Sequence, residues 1–263
     1  MVVAIAKRLA GGGAMTDYAE ILSFGGGINS VALAIMAIND GWRGKIVFSD
    51  TGCEWPETYS YMDYFEREWL KPRGFEIVRL SGLPWQTKKK GYSLIEYCEM
   101  AHIIPLAARR WCTSGWKVKP VERFRNGNAQ MLGIAADEAH RKPNEIRPLV
   151  EANVTREGCI EIINAEGLNI PQKSGCYICP FQRDSQWRML WERHPELFER
   201  AMLLEENAIR TQAGRHFATL DPNGKITLRQ RKLVYESQMT LPDIDMNSLL
   251  RIKPCILRRE EVL

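Results

Sequence analysis

The sequence predicts an α/β fold: a doubly wound parallel sheet followed by a mostly helical, cysteine-containing C-terminal extension. Three observations predict it. A short apolar strand passes through a glycine-rich turn directly into an apolar helix. A second strand of buried type ends in a polar string. Strands and helices of similar length then go on alternating, as parallel strands joined by helical crossovers require.

Residues 19–22 read as the first strand, 23–30 as the turn and 31–38 as the helix. Residues 45–48 form the second strand, 59–69 an amphipathic helix, 76–80 a third strand, and 130–135 another that leads into Asp137, Glu138 and Arg141. A further helix begins near Thr155. From 184 to 210, Trp187, Leu190, Trp191, Leu197, Phe198, Ala201, Leu204 and Ala208 recur at helical spacing, interrupted at His194-Pro195, which gives two helices with an aromatic core face. Asp221-Pro222-Asn223-Gly224 has the composition of a hairpin turn between 216–220 and 225–228. Its cations Arg215, His216, Arg229 and Arg231 suit either a grip on a polynucleotide or a basic surface. The expected organisation is a leader over 1–15, a nucleotide-binding domain over 16–150 and a C-terminal cysteine-bearing region over 151–263.

With 263 residues, 45% hydrophobic and 26% charged, the chain has the balance of a soluble globular protein. No segment approaches the roughly 20 apolar residues of a membrane helix. Residues 1–14 are too short and interrupted for a signal peptide, so a cytoplasmic location is expected. A net charge of +4 neither demands nor excludes a polyanionic partner. Lys88 to Lys90 read as solvated surface, whereas Arg109, Arg110, Lys117 and Lys119 flank a candidate functional cysteine, Cys112.

The chemistry starts at Ser23-Phe24-Gly25-Gly26-Gly27-Ile28-Asn29-Ser30. Successive glycines let backbone N–H groups converge on an anion, and the next helix adds its positive end. Asn29 and Ser30 read as cap and hydroxyl donor. The spacing is neither that of P-loop NTPases nor that of dinucleotide folds. It resembles the Ser-Gly-Gly-x-Asp-Ser signature of the PP-loop ATP pyrophosphatases, with Asn29 in place of Asp.

The second strand ends in Asp50-Thr51-Gly52-Cys53-Glu54-Trp55-Pro56-Glu57-Thr58, at the sheet end where open α/β folds bind ligands. This string closely resembles the second signature of the phosphoadenosine phosphosulfate (PAPS) reductase family, a branch of the adenine nucleotide alpha hydrolase-like fold. Residues 132–141 resemble a third family segment, with alanine where an arginine is expected, and Arg147-Pro148-Leu149 resembles a fourth without its tryptophan. The resemblance covers residues 19–182. It implies nucleotide contacts from Ser23, Phe24, Gly25, Gly26, Gly27, Asn29, Ser30, Asp50, Thr51, Gly52, Glu57, Thr58, Asp137 and Arg141, with Asp50 and Lys117 catalytic.

Seven cysteines without a secretory signal point to metal or redox chemistry. Cys176-Tyr177-Ile178-Cys179-Pro180 has the spacing for two thiolates on one metal or cluster. Trp111-Cys112-Thr113-Ser114-Gly115-Trp116-Lys117-Val118-Lys119-Pro120 resembles the Cys-Cys-x-x-x-Lys-x-x-Pro segment of adenylyl sulfate reductases, with Trp111 in place of the first cysteine. The resemblance implies a 4Fe-4S cluster on Cys112, Cys176 and Cys179 with one open iron. The alternative is a closed site completed by Cys98, Cys159 or His194, which could hold zinc. Cys53 reads as a site wall or a small filler, Cys98 and Cys159 as core. Cys255 is the candidate for the C-terminal nucleophile of sulfonucleotide reductases, although 251–257 does not match that family's Glu-Cys-Gly-x-His motif.

The leading expectation is ATP-dependent sulfur transfer to an acceptor, nucleic acid among the candidates, with magnesium and a sulfur donor protein. The alternative is reduction of adenylyl sulfate or PAPS to sulfite, with a thioredoxin-like reductant and Cys255 attacking sulfur. A non-catalytic nucleotide- and cluster-binding subunit is the third. No membrane partner and a homo-oligomer are expected.

Overall fold

The computed structural model describes residues 19–81, 93–142, 144–211 and 219–240. They fall into two compact units, residues 19–97 with 110–177 and residues 98–109 with 178–240.

Four strands build the first unit: β1 (Ile21–Phe24), β2 (Lys45–Asp50), β3 (Ile77–Ser81) and β4 (Gln130–Leu132). All pair in parallel, in the order β3-β2-β1-β4. The helices are α1 (Ile28–Asn39), α2 (Pro56–Phe65), α3 (Leu94–Ala101, which runs on into the second unit), α4 (Lys119–Arg125), α5 (Pro148–Glu151) and α6 (Arg156–Ala165).

Side chains alternate along a strand, so each face of the sheet has its own core. Leu22, Phe24, Ile46 and Phe48 pack with α1, α2 and α6, where Leu33, Ile35, Met62, Phe65 and Ile163 are buried. On the opposite face Ile21 and Val47 meet Val121 and Phe124 of α4. Helices on both faces make the sheet doubly wound, as the alternation of elements predicts. α1 is buried from Val31 to Ile38, so it is apolar around its whole circumference.

Several boundaries differ from expectation for local reasons. α2 starts at Pro56, where proline suits the first helical position, and then widens into a π turn over Glu66–Leu70. β4 stops at Leu132 because the next residue must come close to α1: a Cβ on Gly133 would stand 2.9 Å from Ser30 Cα. α6 and Cys176 belong to the first unit, so the compact unit extends past residue 150. Thr155 caps α6 by accepting from Gly158 N–H at 3.3 Å.

The second unit contains α7 (Asp184–Arg193), α8 (Pro195–Thr211) and α9 (Leu228–Thr240). The chain breaks at His194, φ −136°, immediately before Pro195. Trp187, Leu190, Phe198, Ala201, Leu204 and Ala208 are buried, the core role their spacing predicts.

The expected hairpin is not seen among the described residues, which include only 219–220 of its first arm. Asp221–Gly224 does turn, with Gly224 N–H on Asp221 O at 3.0 Å, but Leu228 begins a helix. Thr227 and Gln230 form a reciprocal capping box: Gln230 N–H donates to Thr227 Oγ1 at 3.2 Å and Thr227 N–H to Gln230 Oε1 at 2.8 Å. The cations there are engaged locally, Arg231 with Asp184 and Asp221, Arg229 with Glu206, and Lys232 with Glu199. Arg215, His216, Lys88 to Lys90, Cys255 and the leader lie outside the described residues. Among the described residues no helix is long and apolar enough to cross a membrane.

Candidate functional site

The glycine loop joins β1 to α1 at the carboxyl end of the sheet. Gly26 adopts φ +67°, and a Cβ there would lie 3.0 Å from the Thr58 methyl. A Cβ on Gly27 would lie 2.7 Å from Ser174 Oγ. The loop is thus pressed between α2 and the segment preceding Cys176, and its tightness comes from its glycines.

The cap differs from the sequence reading. Gly27, not Asn29, occupies the N-cap, and α1 starts at Ile28. Ser30 sits in the first turn, where its hydroxyl accepts from Gly27 N–H at 3.2 Å and donates to Gly27 O at 2.9 Å. That hydroxyl closes the loop. Asn29 donates to Glu138 Oε2 at 3.3 Å, which leaves its own buried Oδ1 without a hydrogen-bond partner.

A cleft of about 480 Å³ opens above the loop. Ser23, Phe24, Gly25, Gly27, Asn29 and Ser30 line it. So do Lys117, Arg141, Lys142, Arg156 and Lys173, against the single carboxylate of Glu138. First-turn N–H groups of a helix have no acceptor within the helix, and the helix dipole adds positive potential. With five cations alongside, the cleft carries a positive potential that suits an anion. Arg141 is partly neutralised by Glu138 at 2.9 Å.

The second signature lies outside this cleft. Asp50, Thr51, Gly52, Glu57 and Thr58 are not among the residues lining this cleft. Asp50 Oδ1 accepts from Gly52 N–H at 2.8 Å and from the Tyr59 hydroxyl at 2.6 Å, so it braces a turn. Burial and the Asp50 carboxylate push the Tyr59 hydroxyl well above its ordinary pKa. Glu57 and Thr58 occupy the first turn of α2, where Thr58 supports Gly26. Asp137 Oδ1 accepts from Arg156 N–H at 3.0 Å and so anchors the start of α6.

Beside the cleft lies a pocket of thiols. Glu54 is buried, and its Oε1 is 2.8 Å from Lys117 Nζ, 3.1 Å from Thr51 Oγ1 and 3.4 Å from Cys176 Sγ. Thr51 Oγ1 also lies 3.5 Å from Cys53 Sγ and 3.3 Å from Cys176 Sγ. Two backbone bonds tie the segments together: Tyr177 N–H to Cys53 O at 2.9 Å and Trp55 N–H to Gly175 O at 3.0 Å. Lys117 is carried on the π-helical segment Thr113–Val118, a widened turn common at functional sites. From the same segment Trp116 O accepts the Ser49 hydroxyl at 2.6 Å. Burial alone would lower the Lys117 pKa, but the Cys176 sulfur and the Glu54 carboxylate hold it above the ordinary lysine value. Burial and the neighbouring Cys176 push the Cys112 thiol up.

Cys112 and Cys176 therefore neighbour each other, and half-buried Cys179 follows Cys176 by three residues. Cys98 and Cys159 are fully buried, as expected of core residues. Sequence reasoning assigned no role to Glu54, Lys142, Arg156, Lys173 or Ser174. Glu54 was inside a recognised string, but only its distant partners Lys117 and Cys176, 63 and 122 residues away in sequence, reveal its role.

Residues 19–147 match the family model described as the phosphoadenosine phosphosulfate reductase domain. Two uncharacterized proteins of Methanocaldococcus jannaschii are similar to the chain. MJ0066 is 24% identical over 221 residues, 74% of this chain, and MJ0973 is 22% identical over 209 residues, 70% of this chain. The chain spans 42% and 47% of their respective lengths. The crystal structure of phosphoadenylyl-sulfate reductase from Candida auris, a phosphate complex, superimposes with a TM-score of 0.47 at 14% identity, covering 67% of this chain and 94% of that one.

Proposed function

The chain belongs to the PAPS reductase family over residues 19–147, and on that premise we propose that it binds an adenine nucleotide at the glycine loop and carries out sulfur chemistry beside it. The observation that carries this reading is the double position of Lys117, which lines the anion cleft and contacts Glu54 in the thiol pocket. One ammonium then faces both the phosphates and the sulfur.

The preferred reaction is ATP-dependent sulfur transfer. An acceptor oxygen attacks the α-phosphorus of ATP and pyrophosphate leaves; sulfur then displaces AMP from the adenylated acceptor. The α1 amides with Arg156, Lys142 and Lys173 hold the departing pyrophosphate, a preorganised electrostatic role. Lys117 orients the phosphate nearest the thiols. A sulfur donor protein and a nucleic acid acceptor remain part of this proposal.

The resemblance also implies an iron-sulfur cluster or zinc, and magnesium. Among the described residues no three His, Cys, Asp or Glu side chains stand together as a metal site. Glu54, the carboxylate among the thiols, is committed to Lys117. The donors as arranged do not fit such a group.

A second reading, reduction of adenylyl sulfate or PAPS to sulfite, is favoured by the matched family model itself. Product analysis separates the two. Anaerobically prepared full chain is given ATP, or adenylyl sulfate or PAPS with a dithiol. Pyrophosphate without sulfite supports transfer, and sulfite replaces it with reduction. Nucleotide binding with neither product would leave a non-catalytic subunit.

A further inference from the structure

The thiol pocket contains a pair that neither reading uses. Cys53 and Cys176 share the Thr51 hydroxyl, at 3.5 and 3.3 Å, and the Cys53 thiol hydrogen-bonds Cys176. Their backbones are tied by the Tyr177 to Cys53 and Trp55 to Gly175 hydrogen bonds on either side of the pair. The two sulfurs are therefore held together by the fold and not by a chance side-chain rotamer. Both are free thiols. Their environments differ: Cys53 is 1% exposed, while Cys176 is half-buried and accessible. Lys117, the local cation, interacts with both sulfurs.

We propose that Cys53 and Cys176 form a redox-active dithiol that closes reversibly to a disulfide, with Cys176 as the attacking sulfur and Cys53 as the resolving one. The order of attack is set by exposure, since an oxidant reaches Cys176 first. With hydrogen peroxide, the Cys176 thiolate attacks one oxygen, the O–O bond breaks, and hydroxide leaves and is protonated to water. Cys176 becomes a sulfenic acid. The Cys53 sulfur then attacks that sulfur, the S–S bond forms, the S–O bond breaks, and the hydroxyl departs as water with the Cys53 proton. Two thiols lose two electrons and two protons, and the peroxide becomes two waters. A small dithiol reverses the step by exchange. Cys112, which also neighbours Cys176, is the competing partner, but it sits on the π-helical side and has no backbone tie to Cys176 among the described residues. The inference rests on the thiol geometry alone and stands or falls independently of the nucleotide reading.

The test is one equivalent of hydrogen peroxide added to the reduced chain of residues 1–263 under anaerobic conditions, followed by non-reducing peptide mapping. The wild type is expected to lose two of its seven thiols, to show a Cys53–Cys176 linked peptide and to recover both thiols with dithiothreitol. It should take up no dimedone. Cys53→Ser should convert the linkage into a dimedone adduct on Cys176, and Cys112→Ser should keep the linkage. A Cys112–Cys176 link, a sulfinic acid on Cys176 in the wild type, or no loss of thiols would each overturn the proposal.

Discussion

Lys117 Nζ lies 2.8 Å from Glu54 Oε1, and the Glu54 side chain is only 1% exposed while that of Lys117 is 42% exposed. The two partners are therefore unequal. Glu54 cannot be hydrated if its cation is removed, whereas Lys117 can turn to water.

Removing the lysine should accordingly cost more than neutralising the acid. Lys117→Met strands a buried carboxylate and is expected to destabilise by about 2–4 kcal/mol. Glu54→Gln should cost about 1 kcal/mol or less, since the amide still serves Thr51. The double variant should recover part of the Lys117→Met loss, a coupling visible in a thermodynamic cycle of urea midpoints. Equal losses from both single variants would contradict the asymmetry.

Gly133 faces the backbone of α1, with Ser30 Cα and N both 2.9 Å from the position of a Cβ. Backbone cannot rotate away as a side chain can. Gly133→Ala should push the first turn of α1 off the cleft, lowering stability by about 1–3 kcal/mol and weakening nucleotide binding together. Gly115→Ala, where nothing lies within 4 Å, is the control and should stay within about 0.5 kcal/mol of wild type.

Sequence makes local features legible. Three glycines between a strand and an apolar run specify the loop, and the strand-helix alternation specifies the doubly wound sheet, because both depend on neighbours along the chain. Asp50 shows the limit: its string is recognisable, but that its carboxylate folds back onto Gly52 N–H and Tyr59 depends on the turn it makes. Cys53, Glu54 and Cys176 meet across more than a hundred residues, which no periodicity reveals. The missed hairpin has another cause. Asp-Pro-Asn-Gly outweighed the Thr227-x-x-Gln230 capping box, although the box was equally open to reading and directs the chain after the turn into a helix instead of a strand.

Charge in the cleft gives a direct test of the anion site. Arg156 lines it and is exposed, whereas Arg231 is buried between Asp184 and Asp221 in the second unit. Arg156→Ala should weaken ATP or PAPS binding threefold to tenfold, about 0.7–1.4 kcal/mol, and flatten its salt dependence. Arg231→Ala should leave nucleotide affinity unchanged and lower stability. Arg141→Ala should have a smaller effect than Arg156→Ala, because Glu138 already offsets its charge. Isothermal titration at two salt concentrations measures all three.

Glu205 makes the stability of the second unit depend on pH. It is fully buried, and its two oxygens accept from Leu220 N–H at 2.7 Å and Leu228 N–H at 2.6 Å. Burial raises its pKa to about 7, against the opposing pull of those amides and of Arg231. An acid whose folded pKa exceeds its unfolded value holds an extra proton in the folded state. Its contribution is fully present below the unfolded value of 4.5 and is lost as pH rises through about 7. The shift corresponds to a loss on the order of 3 kcal/mol across that window. Melting temperature should therefore be higher at pH 5.5 than at pH 8 through this group. Glu205→Gln, which cannot titrate, should be less stable overall because its amide presents a donor to one of the two N–H groups. Its melting temperature should also vary less between those pH values, and a Gln variant with the wild-type pH profile would assign the dependence to other groups.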